Sequence, residues 1–165
     1  MAVDQFMHLY DEGGTEIKGE SRDAKHKESV DVLAWSWGMS NAANAHYGGG
    51  MGAGKVNAQD ISFTKWIDKS SAPLQGACAT GKHLQKAELI VRKAGDKPLE
   101  YLKYTLSDCL VTSVSTGGSG GEDRLTENVS LSFAKMKIEY FIQDATGKGT
   151  PAGQFVYSFA ENEKQ

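Results

Sequence analysis

Alternation of apolar and polar residues dominates the chain between Glu100 and Phe141. A first stretch places apolar side chains on one face, which is the pattern of a half-buried strand; they are Leu102, Tyr104, Leu106, Leu110 and Val114. The alternation stops in the polar segment Ser115–Arg124, which contains glycines at 117, 118, 120 and 121, and resumes at Leu125. The pattern predicts two long strands joined by a flexible Gly-rich loop.

The returning strand changes phase once along its length. Val129, Leu131 and Phe133 share one face, whereas the apolar set beyond Ala134 falls on the opposite positions, beginning with Met136. A one-residue shift turns every following side chain to the other face of a sheet. We therefore expect a bulge or a corner near Phe133–Ala134, as in a strand that serves two sheets or bends a barrel.

A third strongly patterned stretch, Val30–Ser40, has one bulky face and one small face. The bulky face carries Leu33, Trp35 and Trp37, and we predict that it packs in the core. The small face, formed by Val32, Ala34 and Ser36, is then predicted to point away from the core. Further core positions are predicted in the neighbouring strands; they are Ile61, Phe63, Leu131 and Phe133.

The remaining stretches complete an all-β pattern. Predicted strands cover Val3–Tyr10, Lys55–Ile67, Glu88–Lys93 and Gln154–Ala160. One helix is predicted over Ser70–Gly81, because serine caps its start, Pro73 suits its first turn and Gly81 can end it. We predict a single domain over residues 1–165, a β-barrel or sandwich of seven or more strands with one short helix. Flexible loops are predicted at residues 11–27, 41–55 and 115–124, with a charged tail at 161–165.

Composition narrows the functional classes. The chain has 165 residues, 39% hydrophobic content and a net charge of −3, which suits one globular domain and argues against a nucleic-acid surface. No apolar run is long enough to span a bilayer, so stable membrane insertion is not expected. The N-terminus lacks the basic and apolar regions of a signal peptide. We expect Cys78 and Cys109 to be reduced, buried thiols, and a disulfide between them is the remaining alternative.

Motifs that carry chemistry are weak in this sequence. Gly49, Gly54 and Lys55 match part of a phosphate-binding loop, but Val56 replaces the Ser or Thr that binds magnesium, and a strand pattern follows. The adjacent acids Glu122 and Asp123 diverge on a Gly-rich loop and lack a spaced partner. The four histidines have no metal-ligand spacing. We predict no enzyme, no cofactor and no metal site.

Two alternatives remain open from the residues alone. A carbohydrate-binding β-sandwich would need an exposed aromatic platform, for which the candidates are Trp35, Trp37, Trp66 and Tyr47. A hydrolase of another type would depend on Glu122 or Asp123. A module or small enzyme of either kind is usually not part of a large assembly, so a measurement of molecular size tests both alternatives.

Three long segments resemble one known family. VDVLAWSWGMS, GKVNAQDISFTKWIDKSS and VTSVSTGGSGGEDRLTENVSLSFAKMKIEY are similar to the haemolysin-coregulated protein (Hcp) family of bacterial type VI secretion systems. The resemblance runs from Val3 to about Tyr140. The segment 11–27 looks slightly longer than the family's usual form, and the start of the 41–55 loop also departs from it.

The resemblance implies a small β-barrel that assembles into a hexameric ring. Rings stack into the inner tube of the secretion apparatus, with a sheath around it and a spike at its tip, and the lumen carries effector proteins. The protein would reside in the bacterial cytoplasm before firing and then be secreted without a signal peptide. The small face of Val32, Ala34 and Ser36 would line the channel. Loop residues would make subunit and ring-stacking contacts; these are Gly48, Gly49, Gly50, Gly52, Ser119, Glu122, Asp123 and Arg124.

Overall fold

A computed structural model describes residues 2–42 and 54–165 of the protein. Within those ranges the chain forms eleven strands and one helix. The first seven elements are β1 (Val3–Asp11), β2 (Glu16–Ile17), β3 (Val30–Ser36), β4 (Met39–Asn41), β5 (Val56–Ala58), β6 (Ile61–Trp66) and α1 (Ser71–Thr80). The others are β7 (His83–Lys93), β8 (Leu99–Thr116), β9 (Thr126–Gln143), β10 (Gly149–Ser158) and β11 (Glu163–Lys164).

Six antiparallel strands close into a barrel in the order β9-β6-β3-β1-β7-β8, and the pairing of β8 with β9 completes the circle. Strands β10 and β11 continue the sheet from β9, while β2 pairs with β1 and β4 forms a separate hairpin with β5. The predicted all-β fold with one short helix is therefore confirmed, in its barrel form.

The core lies inside the barrel and is filled from all six strands and the helix. Ile61, Phe63 and Leu131 are almost fully buried there, as the alternation predicts. Helix α1 contributes Leu74 and Ala77 and ends at Gly81, whose positive φ of 69° is a left-handed conformation that glycine adopts without strain. Trp35, Trp37 and Phe133 pack against this core but remain only partly buried.

Strand β3 contains a bulge that reverses part of the predicted facing. The register against β6 shifts between Val32 and Ala34, so Leu33 is the extra residue and both Leu33 and Ala34 point outward. Val32 is 6% exposed and belongs to the core, whereas Leu33 is 41% exposed. The predictions of an outward Val32 and a buried Leu33 are therefore wrong, because simple alternation through the strand cannot anticipate the inserted residue.

The predicted corner near Phe133–Ala134 lies where β9 changes partner. One edge of β9 pairs with β6 up to Leu131 and with β10 from Lys135 onward. Asp108, on the adjoining strand β8, has a positive φ of 52° at the same level. Beyond it the buried positions of β8 are Cys109 and Val111, so the predicted inward Leu110 belongs to the other face.

The segment predicted as a flexible loop at residues 11–27 is attached to the barrel. It contains β2, and Asp23 accepts hydrogen bonds from the Arg92 guanidinium at 2.5 and 3.1 Å. The charged tail also pairs in part, through β11. In the predicted 41–55 loop, Asn41 ends β4 and its side-chain amide donates to the carbonyl of Gly54 at 2.7 Å. The ring-contact candidates Gly48, Gly49, Gly50 and Gly52 lie outside the described residues.

A buried ion cluster joins the helix to the barrel wall. Lys65 and Glu127 are both 0% exposed and form an ion pair across β6 and β9. The Lys65 ammonium also lies 3.1 Å from Asp68 Oδ1 and donates to Ser71 Oγ at 3.1 Å. Ser71 Oγ in turn donates to Glu127 at 2.6 Å. Buried charges are tolerated only when paired and hydrogen-bonded, so this cluster fixes where α1 sits.

No helix in the described parts of the chain is long and apolar enough to cross a membrane.

Candidate functional site

The outward positions of four adjacent strands form one continuous surface of small side chains. The strand register aligns them in two rows across the sheet. The first row is Ser36, Ser62, Ser130 and Ser113, and the second is Ala34, Thr64, Asn128 and Ser115. We call these eight residues the hydroxyl face, because six of them carry hydroxyl groups.

Side chains on the hydroxyl face bond to one another along the rows. Ser62 and Ser130 share a hydrogen bond with 2.9 Å between their hydroxyl oxygens, and Thr64 Oγ1 donates to Asn128 Oδ1 at 2.6 Å. Lateral bonds of this kind hold short side chains down against the sheet. The eight residues include no charged group, so the surface is flat, polar and neutral.

Ala34 and Ser36 are exposed members of this face. They extend it onto β3, beyond the bulge at Leu33 that places Val32 in the core. The contributions of β6, β8 and β9 were missed by the sequence analysis as a surface. Their signal was present, since Ser, Thr and Asn occupy successive outward positions in each strand, but only the strand order brings them together.

The Gly-rich loop 115–124 borders one end of the hydroxyl face, because β8 ends at Thr116 and β9 begins at Thr126. The predicted contact residues Ser119, Glu122, Asp123 and Arg124 are all exposed there. The Glu122 amide donates to the Ser119 carbonyl at 3.2 Å, which closes a turn at the loop tip. The Arg124 guanidinium lies 4.6 Å from the centre of the Trp66 ring, a cation–π contact that holds the loop base to β6.

The aromatic side chains predicted for a carbohydrate platform are engaged within the protein. Trp35 packs edge-on against Tyr104, with 5.4 Å between ring centres, and its indole N–H donates to Gln5 at 2.7 Å. Trp37 contacts Phe133 and donates to the Gln59 carbonyl at 2.9 Å. Arg124 covers Trp66, and Tyr47 lies outside the described residues. These contacts occupy the tryptophans that a sugar platform would have to present.

Further aromatic side chains, in β10 and just after it, line an open cleft. Phe155, Tyr157 and Phe159 contact one another in succession and form one wall of a cavity of about 460 Å³. Met39 and Val56 add apolar surface on the side of the β4–β5 hairpin. The cleft contains one charged lining residue among those described, Lys55.

Groups suited to covalent or metal chemistry are sparse in the described ranges. No cluster of three or more His, Cys, Asp or Glu side chains there could hold a metal ion. Both cysteines are free, and burial raises the pKa of the Cys109 thiol to about 12, which keeps it protonated near neutral pH.

Comparison with known proteins decides the family. The family model for the type VI secretion system effector Hcp matches residues 6–140. The chain belongs to the Hcp family. Protein hcp1 of Pseudomonas aeruginosa is 58% identical over 148 residues, which cover 89% of this chain and 88% of that protein.

Two solved structures agree with the assignment. A type six secretion system protein aligns with a TM-score of 0.88 at 32% identity, over 99% of this chain and all of the other. Hcp1 from Salmonella typhimurium aligns with a TM-score of 0.77 at 39% identity, over the full length of both chains. The protein is thus an Hcp-type secreted tube protein of the type VI system, and this function is supported over the carbohydrate-binding alternative.

Proposed function

We propose that the protein assembles as a six-membered ring whose channel is lined by the hydroxyl face, including Ser36 at the β3 end of its first row. The supporting observation is the pair of small-residue rows that crosses four strands without a charge. A channel that passes or shelters a protein cargo needs a wall without long side chains. Long charged side chains would have to be desolvated or ordered whenever a cargo docks.

Stacked rings then form the tube, and the loop 115–124 contributes contacts between rings or subunits. Its exposed acids, Glu122 and Asp123, lie at the end of the hydroxyl face, where the wall meets the rim. The tube is held in the bacterial cytoplasm inside a sheath and beneath a spike before it is secreted. The cargo consists of effector proteins that bind in the lumen. The proposed role is structural and carries no catalytic step.

The channel assignment is tested with Ser36→Gln. The longer amide side chain protrudes into the proposed lumen, where water can hydrate it, so rings should form normally. Co-purification of a bound effector should fall, while light scattering still gives a hexamer and the thermal melt is unchanged. Ser107→Gln is the matched control, because Ser107 lies on the opposite, charged side of the barrel in β8.

Trp35→Ala provides the reciprocal change. It removes an indole that packs on the core and donates to Gln5, and large-to-small changes of this kind cost about 3–5 kcal/mol when the site is well packed. We expect poor folding and a lowered melting temperature. If Ser36→Gln disrupts the ring while Trp35→Ala leaves folding intact, the proposed orientation of β3 is inverted. A monomer at micromolar concentration in the wild-type protein contradicts the ring itself.

A further inference from the structure

An apolar patch on the outside of the barrel is covered by a segment of the same chain. Phe6 and Ile90 occupy outward positions of β1 and β7, outside the core cluster, yet they are only 4% and 5% exposed. His26 stacks on Phe6 with 4.5 Å between ring centres. His26 belongs to the connection between β2 and β3, residues 18–29, which we call the strap.

Four side chains fasten the strap in a continuous line. Glu16 Oε1 lies 2.8 Å from His8 Nδ1, His8 Nε2 lies 2.9 Å from His26 Nδ1, and His26 Nε2 lies 2.5 Å from Glu100 Oε1. The residues come from β2, β1, the strap and β8, so the line joins four separate pieces of chain. His26 is 7% exposed, so the central contact is buried, while the carboxylates of Glu16 and Glu100 at the two ends are partly exposed.

The line of hydrogen bonds fixes the number of protons that it can hold. Each outer contact needs an N–H on the imidazole, since an ionised carboxylate only accepts. The central His8–His26 contact needs one N–H and one free lone pair. Two imidazoles must therefore carry three N–H protons between them, which is one positive charge shared by the pair. With two protons one of the three bonds is lost, and with four the central N–H groups oppose each other.

We propose that the His8–His26 pair is a proton-dependent fastener, which holds the strap over Phe6 only while the pair carries a single positive charge. Imidazole is the side chain whose charge changes near physiological pH. The strap is then held most firmly within a pH window and loosens on both the acidic and the alkaline side. The hydroxyl face lies on the other side of the barrel and does not change.

The surrounding carboxylates stabilise positive charge on the pair. Glu88 of β7 is the cross-strand neighbour of His8 and adds a third carboxylate to Glu16 and Glu100. Lys86 and Lys103 lie near Glu88, at 2.8 and 3.9 Å from its oxygens, and partly offset it.

One cation beside the Phe6 ring is already paired with carboxylates. The Arg92 guanidinium lies 5.0 Å from the Phe6 ring, on which His26 stacks. Arg92 is itself neutralised by Asp4 and Asp23. The limit of one charge therefore comes from the central contact, where a second added proton would set two N–H groups against each other.

The strap has other attachments: Arg92 binds Asp23 in its middle and further contacts hold its ends, so the fastener controls the part around His26. The Lys69 amide donates to Glu20 at 3.0 Å, and Lys18 pairs with Glu28 at 3.1 Å. The amide hydrogen bonds nearest the fastener are those of His26, which donates to Asp23 Oδ1 at 3.2 Å, and Ser29, which donates to the His26 carbonyl at 3.1 Å. Exchange of these amides reports on its opening.

The test is amide hydrogen exchange of the full-length protein, expressed as protection factors between about pH 5 and about pH 9, around the imidazole titration. Wild-type protection at His26 and Ser29 should pass through a maximum and fall about tenfold on each side, as expected for loss of a charge-assisted hydrogen bond. His8→Gln, which cannot titrate, should abolish the maximum. His83→Gln is the matched control, because His83 is exposed on β7 away from the strap, and it should keep the maximum.

Glu16→Gln adds a second test that keeps both imidazoles. With one carboxylate fewer to stabilise the shared charge, the maximum should move to lower pH. At the pH of maximal protection, the imidazole nitrogen NMR signals should show three N–H protons on the two rings together. Identical profiles for His8→Gln and wild type, an unmoved maximum in Glu16→Gln, or two neutral rings at maximal protection would each overturn the proposal.

Discussion

The two sides of the barrel wall share an apolar interior but differ in where they carry charge. On the side formed by β7 and β8, the inward residues are apolar and the outward ones are charged, as at Lys86, Glu88 and Lys103. On the side formed by β6 and β9, the outward residues are Ser, Thr and Asn, and the charged pair Lys65–Glu127 points inward. The same two-residue period produces both arrangements. Alternation alone therefore shows which residues share a face, but not what that face does.

The difference shows what each surface can contact. Charges on the β7–β8 side pair locally, as in the 2.8 Å contact between Lys86 and Glu88, and exposed pairs of this kind add at most about 1 kcal/mol each to stability. They keep that side hydrated and allow specific ionic contacts. The hydroxyl face offers neither long side chains nor charge, and two lateral hydrogen bonds already join its β6 and β9 side chains. Such a surface suits a wall along which other proteins move.

Removal of the inward charge should have the largest effect. Glu127→Ala leaves the fully buried Lys65 with Asp68 and Ser71 alone, and loss of one partner of a buried pair costs about 3–5 kcal/mol. Urea denaturation should show this loss in the free energy of unfolding. The hydroxyl face would be affected only indirectly, through strand β9.

The double variant Lys65→Met with Glu127→Leu separates pairing from packing. Apolar residues of similar volume remove both desolvation penalties, and Asp68, which loses its cation, keeps the hydrogen bonds from the Ser70 amide and hydroxyl, so the double variant should be more stable than Glu127→Ala. A double variant as unstable as Glu127→Ala would mean that the cluster contributes through shape rather than charge.

The bulge in β3 gives the next largest contrast, between two adjacent residues. Val32→Ala creates a cavity in the core and should cost about 2 kcal/mol, within the range of large-to-small core changes. Leu33→Ala alters an exposed side chain and should change stability by less than about 0.5 kcal/mol. Thermal melts of the two variants measure the difference directly. Equal effects, or a larger loss from Leu33→Ala, would mean that β3 runs without the bulge.

The sequence was sufficient for the fold class and for most strands, because period-2 patterns are strong in Val30–Ser36, Ile61–Trp66 and the long pair β8–β9. It also located the corner of β9, from the phase change after Phe133. It failed at Leu33, since an inserted residue leaves no mark in a run of apolar side chains.

Long-range features were beyond the sequence for a different reason. Lys65 lies in phase with Ile61 and Phe63, and Glu127 lies in phase with Val129, but only the β6–β9 register places the two charges together. The hydroxyl face depends on strand order in the same way. The His8–His26 contact joins residues 18 positions apart through a segment that looked like a loop.

The smallest expected effect concerns the charged side of the barrel, where Asp23 and Arg92 tie the strap to β7. The hydrogen bond from Arg92 is the main reason that the pKa of Asp23 lies well below its usual value. A carboxyl whose pKa is lower in the folded state adds stability above its unfolded pKa and loses it as the pH falls towards the folded value. Asp23→Asn should therefore cost about 1–2 kcal/mol at pH 7, between an exposed and a fully buried pair. The difference from wild type should shrink below about pH 4, the ordinary range of an aspartate.

Urea denaturation of wild type and Asp23→Asn at several pH values measures this dependence. Asp96→Asn, in the exposed turn between β7 and β8, is the control and should show no comparable loss at pH 7. The acid range separates Asp23 from the histidine fastener, which acts at higher pH. A stability difference that stayed constant from pH 7 down to about pH 3, below the ordinary aspartate range, would show that the ion pair adds nothing and that Asp23 holds the strap through its neutral hydrogen bonds. Charges on the β7–β8 side would then affect only the hydration of that surface, and neutral hydrogen bonds would hold the strap there as they hold side chains on the hydroxyl face.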